Sequence, residues 1–190
     1  MFKLGLTGSI GMGKTTTASI FSALGCDVWD ADAAVHRLYA KGGAAVIPIS
    51  GAFSQVIEEG AVSRAQLRSL IAADPLALKS IEKIVHPLLV QDRADFVAGS
   101  QSDILVFDIP LLFETGSDSE CDKVIVVWAP EWMQRKRALL RYGMTAEKLD
   151  AILSRQVSQA VKRRLADLVL PSSLGRAETR KRLLRWLRTP

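Results

Sequence analysis

The 190-residue chain has only two cysteines, Cys26 and Cys121, and two histidines, His36 and His86. Neither pair has the spacing of a metal site, and two thiols are too few for a disulfide scaffold, so the cysteines are expected to be reduced and structural. No stretch approaches the roughly 18 consecutive apolar residues that cross a bilayer, which argues against any membrane span. The first residues, Met1 to Thr7, are apolar only briefly and run straight into a glycine turn. That predicts a buried strand of a cytosolic (cytoplasmic) protein, not a signal peptide. Internal repeats and low-complexity tracts are missing, which removes solenoids and fibres. Aromatics are scarce at 6%, and among the basic residues of the C-terminal third few are interleaved beyond Tyr142 and Trp186. Nucleic-acid surfaces stack bases on aromatics set among cations, so no nucleic-acid partner is expected. The N-K-x-D phrase that reads guanine is also missing, which argues against a nucleotide switch.

What is present is an ordinary globular composition, 48% hydrophobic and 24% charged, enough for one core and too short for two large domains. The net charge of +5 is unevenly spread. Residues 1–134 hold 10 basic against 16 acidic side chains, and residues 135–190 hold 15 against 4. A basic C-terminal third suits either a nucleic-acid surface or arginines that close over a phosphorylated small molecule. Short, near-continuous apolar runs predict strands at 2–7, 27–30, 104–107, 123–128 and 168–170, a pattern that suits strands buried on both faces of a parallel sheet. Helical patterns alternate with them at 15–24, 31–40, 64–73, 76–97, 131–141, 146–162 and 177–187. The fold class is therefore α/β, a three-layer domain around a parallel sheet of about five strands. About seventy mostly helical residues between the second and third strands predict an inserted helical subdomain at 35–101. The core is then 1–34, 102–130 and 165–190.

Gly8-Ser9-Ile10-Gly11-Met12-Gly13-Lys14-Thr15 matches the phosphate-binding loop G-x-x-x-x-G-K-[ST] at every fixed position, between a strand and a helix. Glycines let successive N–H groups converge on phosphate oxygens, and the helix that follows adds its unpaired N-terminal donors and dipole. Lys14 reaches the outer phosphates, and the Thr15 hydroxyl is the candidate ligand for Mg²⁺. Gly8, Gly11, Met12, Gly13, Lys14, Thr15 and Thr16 are the candidate nucleotide contacts. Asp30-Ala31-Asp32 ends the second strand. Asp32 suits a general base at an attacking hydroxyl and Asp30 a metal-bound water, while either is equally suited to capping the helix that follows. Asp108, after the third strand, is a candidate metal-orienting acid or a solvated turn residue. Arg137 and Arg141 stand four apart on one predicted helix face, where arginines on a closing segment stabilise a transferring phosphoryl group.

In order and spacing, these phrases resemble one family over nearly the whole chain, the dephospho-coenzyme A kinases. Its L-T-G-x-x-G-x-G-K-S/T opening stands here as Leu6 to Thr15, and its D-A-D as Asp30-Ala31-Asp32. The inserted region is matched by Phe53, Ile57, Gly60, Arg64 and Leu67, and by His86-Pro87. Its P-L-L-x-E phrase is Pro110 to Glu114, its lid arginines are Arg137 and Arg141, and later matches are Gln156 and Ala166-Asp167. The resemblance implies transfer of the ATP γ-phosphoryl group to the ribose 3′-hydroxyl of dephospho-coenzyme A, with Mg²⁺ held through Thr15. It implies Asp32 as base, with Lys14, Arg137 and Arg141 on the phosphates. His86 and Arg64 of the insertion fall to the acceptor substrate, and residues 131–164 form a lid. Ser9, Met12 and Ser54 replace the family's usual residues, and the segment 170–175 lacks its usual asparagine turn, so adenine contacts there do not carry over. The competing reading is another small phosphate-loop kinase, acting on a nucleoside monophosphate or on shikimate. A nucleic-acid-binding ATPase is the more distant one. Oligomeric state is not legible.

Overall fold

Apolar, β-branched runs become the inner strands of a sheet, and the amphipathic runs between them become its flanking helices. The computed structural model describes residues 1–188, so the last two residues of the expected core segment 165–190 lie outside it. In chain order come β1 (Phe2–Thr7), α1 (Lys14–Ala23), β2 (Asp27–Asp30), α2 (Ala31–Tyr39) and α3 (Val46–Ala52). Next come β3 (Ile57–Glu58), β4 (Ala61–Val62), α4 (Arg64–Ala73), α5 (Pro75–Gly99), β5 (Ile104–Asp108) and β6 (Lys123–Trp128). The chain finishes with α6 (Glu131–Leu139), α7 (Ala146–Leu153), α8 (Gln159–Leu165), β7 (Leu168–Pro171) and α9 (Arg176–Leu187). These elements divide into two units, residues 30–100 and the chain on either side of that segment.

The larger unit is built on the expected five-stranded sheet, in the order β2-β5-β1-β6-β7. β1 is central and pairs in parallel with both β5 and β6, and β6 pairs in parallel with β7. One face of the sheet presents Leu4, Leu6, Val106, Ile125, Val127 and Leu170 to Ile20 and Phe21 of α1 and Leu183 of α9, all sealed from water. At roughly 1.5–3 kcal/mol for each fully buried large apolar side chain, this layer supplies most of the unit's cohesion. On the opposite face β1 carries Gly5, where a Cβ would stand 2.9 Å from both Leu112 and the Cys121 sulfur, so that loop packs flat on the strand. Trp29 and Phe107 meet edge to face on neighbouring strands, with centroids 6.2 Å apart.

The smaller unit has its own core, in which Leu38, Ala45, Ile49, Val56, Val62, Leu67, Ile81 and Val85 converge. Three of its helices, α2, α4 and α5, begin where the sequence supplies caps. Asp30 accepts the Ala33 N–H at 3.0 Å, Ser63 the Gln66 N–H and Asp74 the Leu76 N–H. Arg37 grips Asp92 with two hydrogen bonds, joining α2 to α5.

Three expectations are corrected. The insertion is not wholly helical, because β3 and β4 form an antiparallel hairpin around Glu59-Gly60, both at positive φ. The single helix expected at 146–162 is two. Ser158 caps α8 by accepting the Val161 N–H, and the Val157 N–H is captured by Glu114 at 2.8 Å, so the chain turns between α7 and α8. The helix expected to reach residue 141 stops at Leu139, which leaves Arg141 outside it.

Candidate active site

β1 delivers the glycine-rich segment to the carboxyl edge of the sheet, and its neighbours hold the loop in shape. Gly11 and Gly13 have φ of +78° and +91°, where a side chain is strained. A Cβ on Gly11 would also stand 2.6 Å from the Gln134 carbonyl, so the glycine lets α6 pack on the loop. Gln134, itself buried, donates from Nε2 to the Ile10 carbonyl at 2.9 Å. Ser172 donates from Oγ to the Met12 carbonyl at 2.6 Å and accepts from Arg137 Nη1 at 2.8 Å. The first i→i−4 bond of α1 runs from the Thr17 N–H to the Gly13 carbonyl. The amides of Lys14, Thr15 and Thr16 are therefore free of that ladder, in the arrangement that binds a phosphate at a helix N-terminus.

Met12 belongs to the scaffold. Its side chain is 1% exposed, its sulfur accepts the Ala129 N–H at 3.0 Å, and its own N–H bonds the Ser9 carbonyl. The Lys14 ammonium is paired with Asp108, which is buried at the end of β5. Asp108 is thus no solvated turn residue. Thr15 and Thr16 are exposed at the first turn of α1. For a metal, the Thr15 hydroxyl and the Asp108 carboxylate are the hard oxygen donors that Mg²⁺ takes. Among the described residues no group of three acidic, His or Cys side chains forms a metal site by itself. Such a donor set fits an ion that keeps waters and shares a nucleotide's phosphate oxygens.

Arg137 is half-buried and also donates to the Ser172 carbonyl at 3.3 Å, while Arg141 is exposed beyond the end of α6. Arg163 of α8 lies 4.8 Å over the Trp128 ring at the end of β6, a cation–π contact.

In the smaller unit, Asp30 is used as the cap of α2, whereas Asp32, two residues on, is exposed. Asp32 lines a groove of about 490 Å³ with Val35, Tyr39, Arg64, Leu67, Arg68 and Ile71. The structure therefore brings Asp32 and Arg64 together, and it adds Arg68 and Tyr39, which sequence reasoning missed. The signal for Arg68 was present, since Arg64, Leu67, Arg68 and Ile71 follow the 3, 4, 7 spacing of one helix face. Burial raises the Tyr39 hydroxyl above its usual range against the lowering pull of Arg64, so it enters the groove neutral. His86 sits at an exposed position of α5 and does not line this groove.

A glycine loop over a helix N-terminus, closed by a lysine and flanked by arginines, is a nucleotide phosphate site, and comparison with known proteins identifies the kind of kinase. The family model described as dephospho-CoA kinase matches residues 2–178. A dephospho-CoA kinase of Cereibacter sphaeroides is 53% identical over 169 residues, 89% of this chain and 86% of that protein. A solved structure from Thermus thermophilus superposes with a TM-score of 0.86 at 29% identity, over 98% of this chain and 95% of its own. The dephospho-CoA kinase of Campylobacter jejuni has the same fold, with a TM-score of 0.71 at 23% identity over 98% and 95% of the two chains. A family model over most of the chain and a relative that shares about half of its residues show that the chain belongs to the dephospho-CoA kinase family.

Proposed function

We propose that Asp32, Lys14, Arg137 and Arg141 carry out the family's reaction in this chain, with Arg64 and His86 on the acceptor. Family membership makes that reaction the ATP-dependent phosphorylation of dephospho-CoA. In the proposed course the Asp32 carboxylate takes the proton of the ribose 3′-hydroxyl as its oxygen bonds to the γ-phosphorus. The bond from that phosphorus to the bridging oxygen of ADP breaks on the opposite side. The products are coenzyme A and ADP, and the proton is left on Asp32. The loop amides and Lys14 hold the β- and γ-phosphates, for which Lys14 leaves its pairing with Asp108. Arg137, and Arg141 on closure of a lid at 131–164, offset the charge that spreads over the equatorial oxygens. The Thr15 hydroxyl and the Asp108 carboxylate would hold Mg²⁺, which would supply charge neutralisation to the phosphates.

The observation that carries the acceptor assignment is the Asp32 groove. Arg64 and Arg68 suit the diphosphate of the substrate, and Leu67 and Ile71 suit its less polar arm. His86, outside the groove, is assigned to the far end of that arm. Both substrates are small molecules, and no described helix is long and apolar enough to cross a membrane. A cytoplasmic setting is part of the same proposal.

The test is a product assay with Mg·ATP and dephospho-CoA, resolving coenzyme A and ADP by chromatography, with Asp32→Asn alongside. Stoichiometric products from wild type and a fall in kcat of at least ~100-fold in the variant are expected for loss of a general base. A fully active variant removes Asp32 from that role, and absence of coenzyme A rejects the reaction.

A further inference from the structure

One charged pair is largely shielded from water. Lys162 of α8 is 0% exposed, and its Nζ lies 2.8 Å from Glu114 Oε1. Trp128 has the same strand parity as Val124 and Val126, which face with Gly5 away from the α1/α9 core, so the stacking of Arg163 on Trp128 lays α8 on that second face. Glu114 Oε1 also accepts the Val157 N–H at 2.8 Å. Glu114 Oε2, Gln156 Oε1 and both amide atoms of Gln159 are buried without a hydrogen-bond partner among the described residues. The Lys162 ammonium, though ion-paired, makes no aligned hydrogen bond.

Stability does not account for this arrangement. A buried ion pair is at best a weak stabiliser that a well-packed neutral pair of similar volume equals or betters, and a half-satisfied polar network is worse than an apolar one. What the pair does is local and geometric. Glu114 stands on the loop six residues beyond Asp108, the partner of Lys14. From there it holds the turn between α7 and α8, on which Arg155 is exposed. α7 is tied in turn to α6 by the Arg135–Asp150 pair, and α6 reaches the phosphate loop through Gln134. The turn is thus anchored on one side to the strand end that pairs with Lys14 and on the other to the loop itself.

We propose that Glu114 is a positioning residue for phosphoryl transfer: through Val157 and Lys162 it sets the α7–α8 turn, and Arg155 on it, relative to the phosphate loop. This rests on the reaction proposed above. Neither residue of the pair belongs to the machinery proposed above for that reaction.

The experiment compares wild type with two neutralised pairs, Glu114→Gln/Lys162→Met and Glu114→Ala/Lys162→Met, by thermal melting and by steady-state kinetics in both substrates. Neither double variant leaves a buried unpaired charge, so the Gln variant is expected to melt near wild type and the Ala variant, which also leaves the Val157 N–H without its acceptor, somewhat below it. The first keeps an acceptor for Val157 and loses the charged anchor; the second loses both. The expected order of kcat is wild type, then the Gln variant, then the Ala variant. The last is roughly 10- to 100-fold down, the size of effect that a misplaced group produces. KM for dephospho-CoA should not change. A folded Ala variant with wild-type kcat overturns the positioning role while wild-type turnover leaves the reaction standing. If that variant does not fold, the Gln variant decides, and its wild-type kcat overturns the proposal. A wild-type protein that makes no coenzyme A ends both.

Discussion

The ammonium of Lys14, at the first position of α1, pairs with the carboxylate of Asp108 at the end of the neighbouring strand β5, and the acid is almost fully shielded from solvent. The parallel register of β1 and β5 makes the meeting possible, since Leu6 stands opposite Asp108 and brings the exit of each strand to the same edge. The pair holds the Lys14 ammonium at the carboxyl end of β5.

Replacing Asp108 by Asn keeps the shape and removes the charge. A charged hydrogen bond contributes about 1.5–3 kcal/mol. The expected result is a rise of at least ~10-fold in the Mg²⁺ concentration for half-maximal turnover, with KM for dephospho-CoA unchanged. A titration of activity against Mg²⁺ measures it, and an unshifted midpoint assigns Asp108 to the lysine alone.

Ser172 is the hinge pin between Arg137 and the phosphate loop, accepting from the guanidinium and donating to the Met12 carbonyl. Ser172→Ala removes both contacts at once. KM for ATP is expected to rise about 5- to 30-fold, equivalent to ~1–2 kcal/mol for the two hydrogen bonds, with little change in KM for dephospho-CoA. Kinetics in each substrate separately distinguishes this from a general loss of activity, which would lower kcat alone.

These contacts mark the limit of what the sequence discloses. The phosphate loop and the five strands are local, set by residues within a few positions of one another, and they stand where the pattern put them. At Asp30 the sequence left a cap and a metal-bound water both open, and the structure shows the cap. The break between α7 and α8 depends on Glu114, 43 residues upstream of Val157, and nothing in the run from 146 to 162 contains it. Ser172 meets Met12 across 160 residues, so its role was equally hidden. Met12 looked like a loop position facing the nucleotide; only the Ala129 amide beside its sulfur shows that it is part of the floor. The hairpin at 57–62 was missed for a different reason: its turn is Glu-Gly, a poor match to the Asn-Gly signal that betrays such turns.

Asp167 links pH to the attachment of β7. Burial pushes its carboxyl upward, but the Lys123 ammonium and the Val124 N–H, both at 2.8 Å, outweigh that and hold it below the usual range. A depressed folded value means that the contribution is present above the unfolded value of about 3.9 and is lost as pH falls through the lower, folded one. Because Lys123 is half-exposed, the pair is discounted to about 1 kcal/mol or less. Asp167→Asn is therefore expected to lower the melting temperature at pH 7 and to match wild type increasingly closely as the pH drops below about 4. Melting curves across that range measure it, and a gap that does not narrow in acid separates the stability effect from the charge.

Glu59 carries a stabilising substitution in waiting. It is the only non-glycine residue of the described chain at positive φ, +51°, and with Gly60 at +80° it forms the two-residue turn joining β3 to β4. Both angles are those of a type I′ turn, in which asparagine is favoured at the first position because its short polar side chain tolerates the left-handed region that strains a longer one. Glu59 is exposed, so nothing packed is lost on exchange. Glu59→Asn is expected to stabilise the hairpin by about 0.5–1 kcal/mol, which for a chain of this size raises the melting temperature by roughly 1–4 °C. Activity should be untouched, since Glu59 lines no part of the Asp32 groove. A melting temperature equal to or below wild type means that the turn is held by its neighbours and not by its own backbone preference.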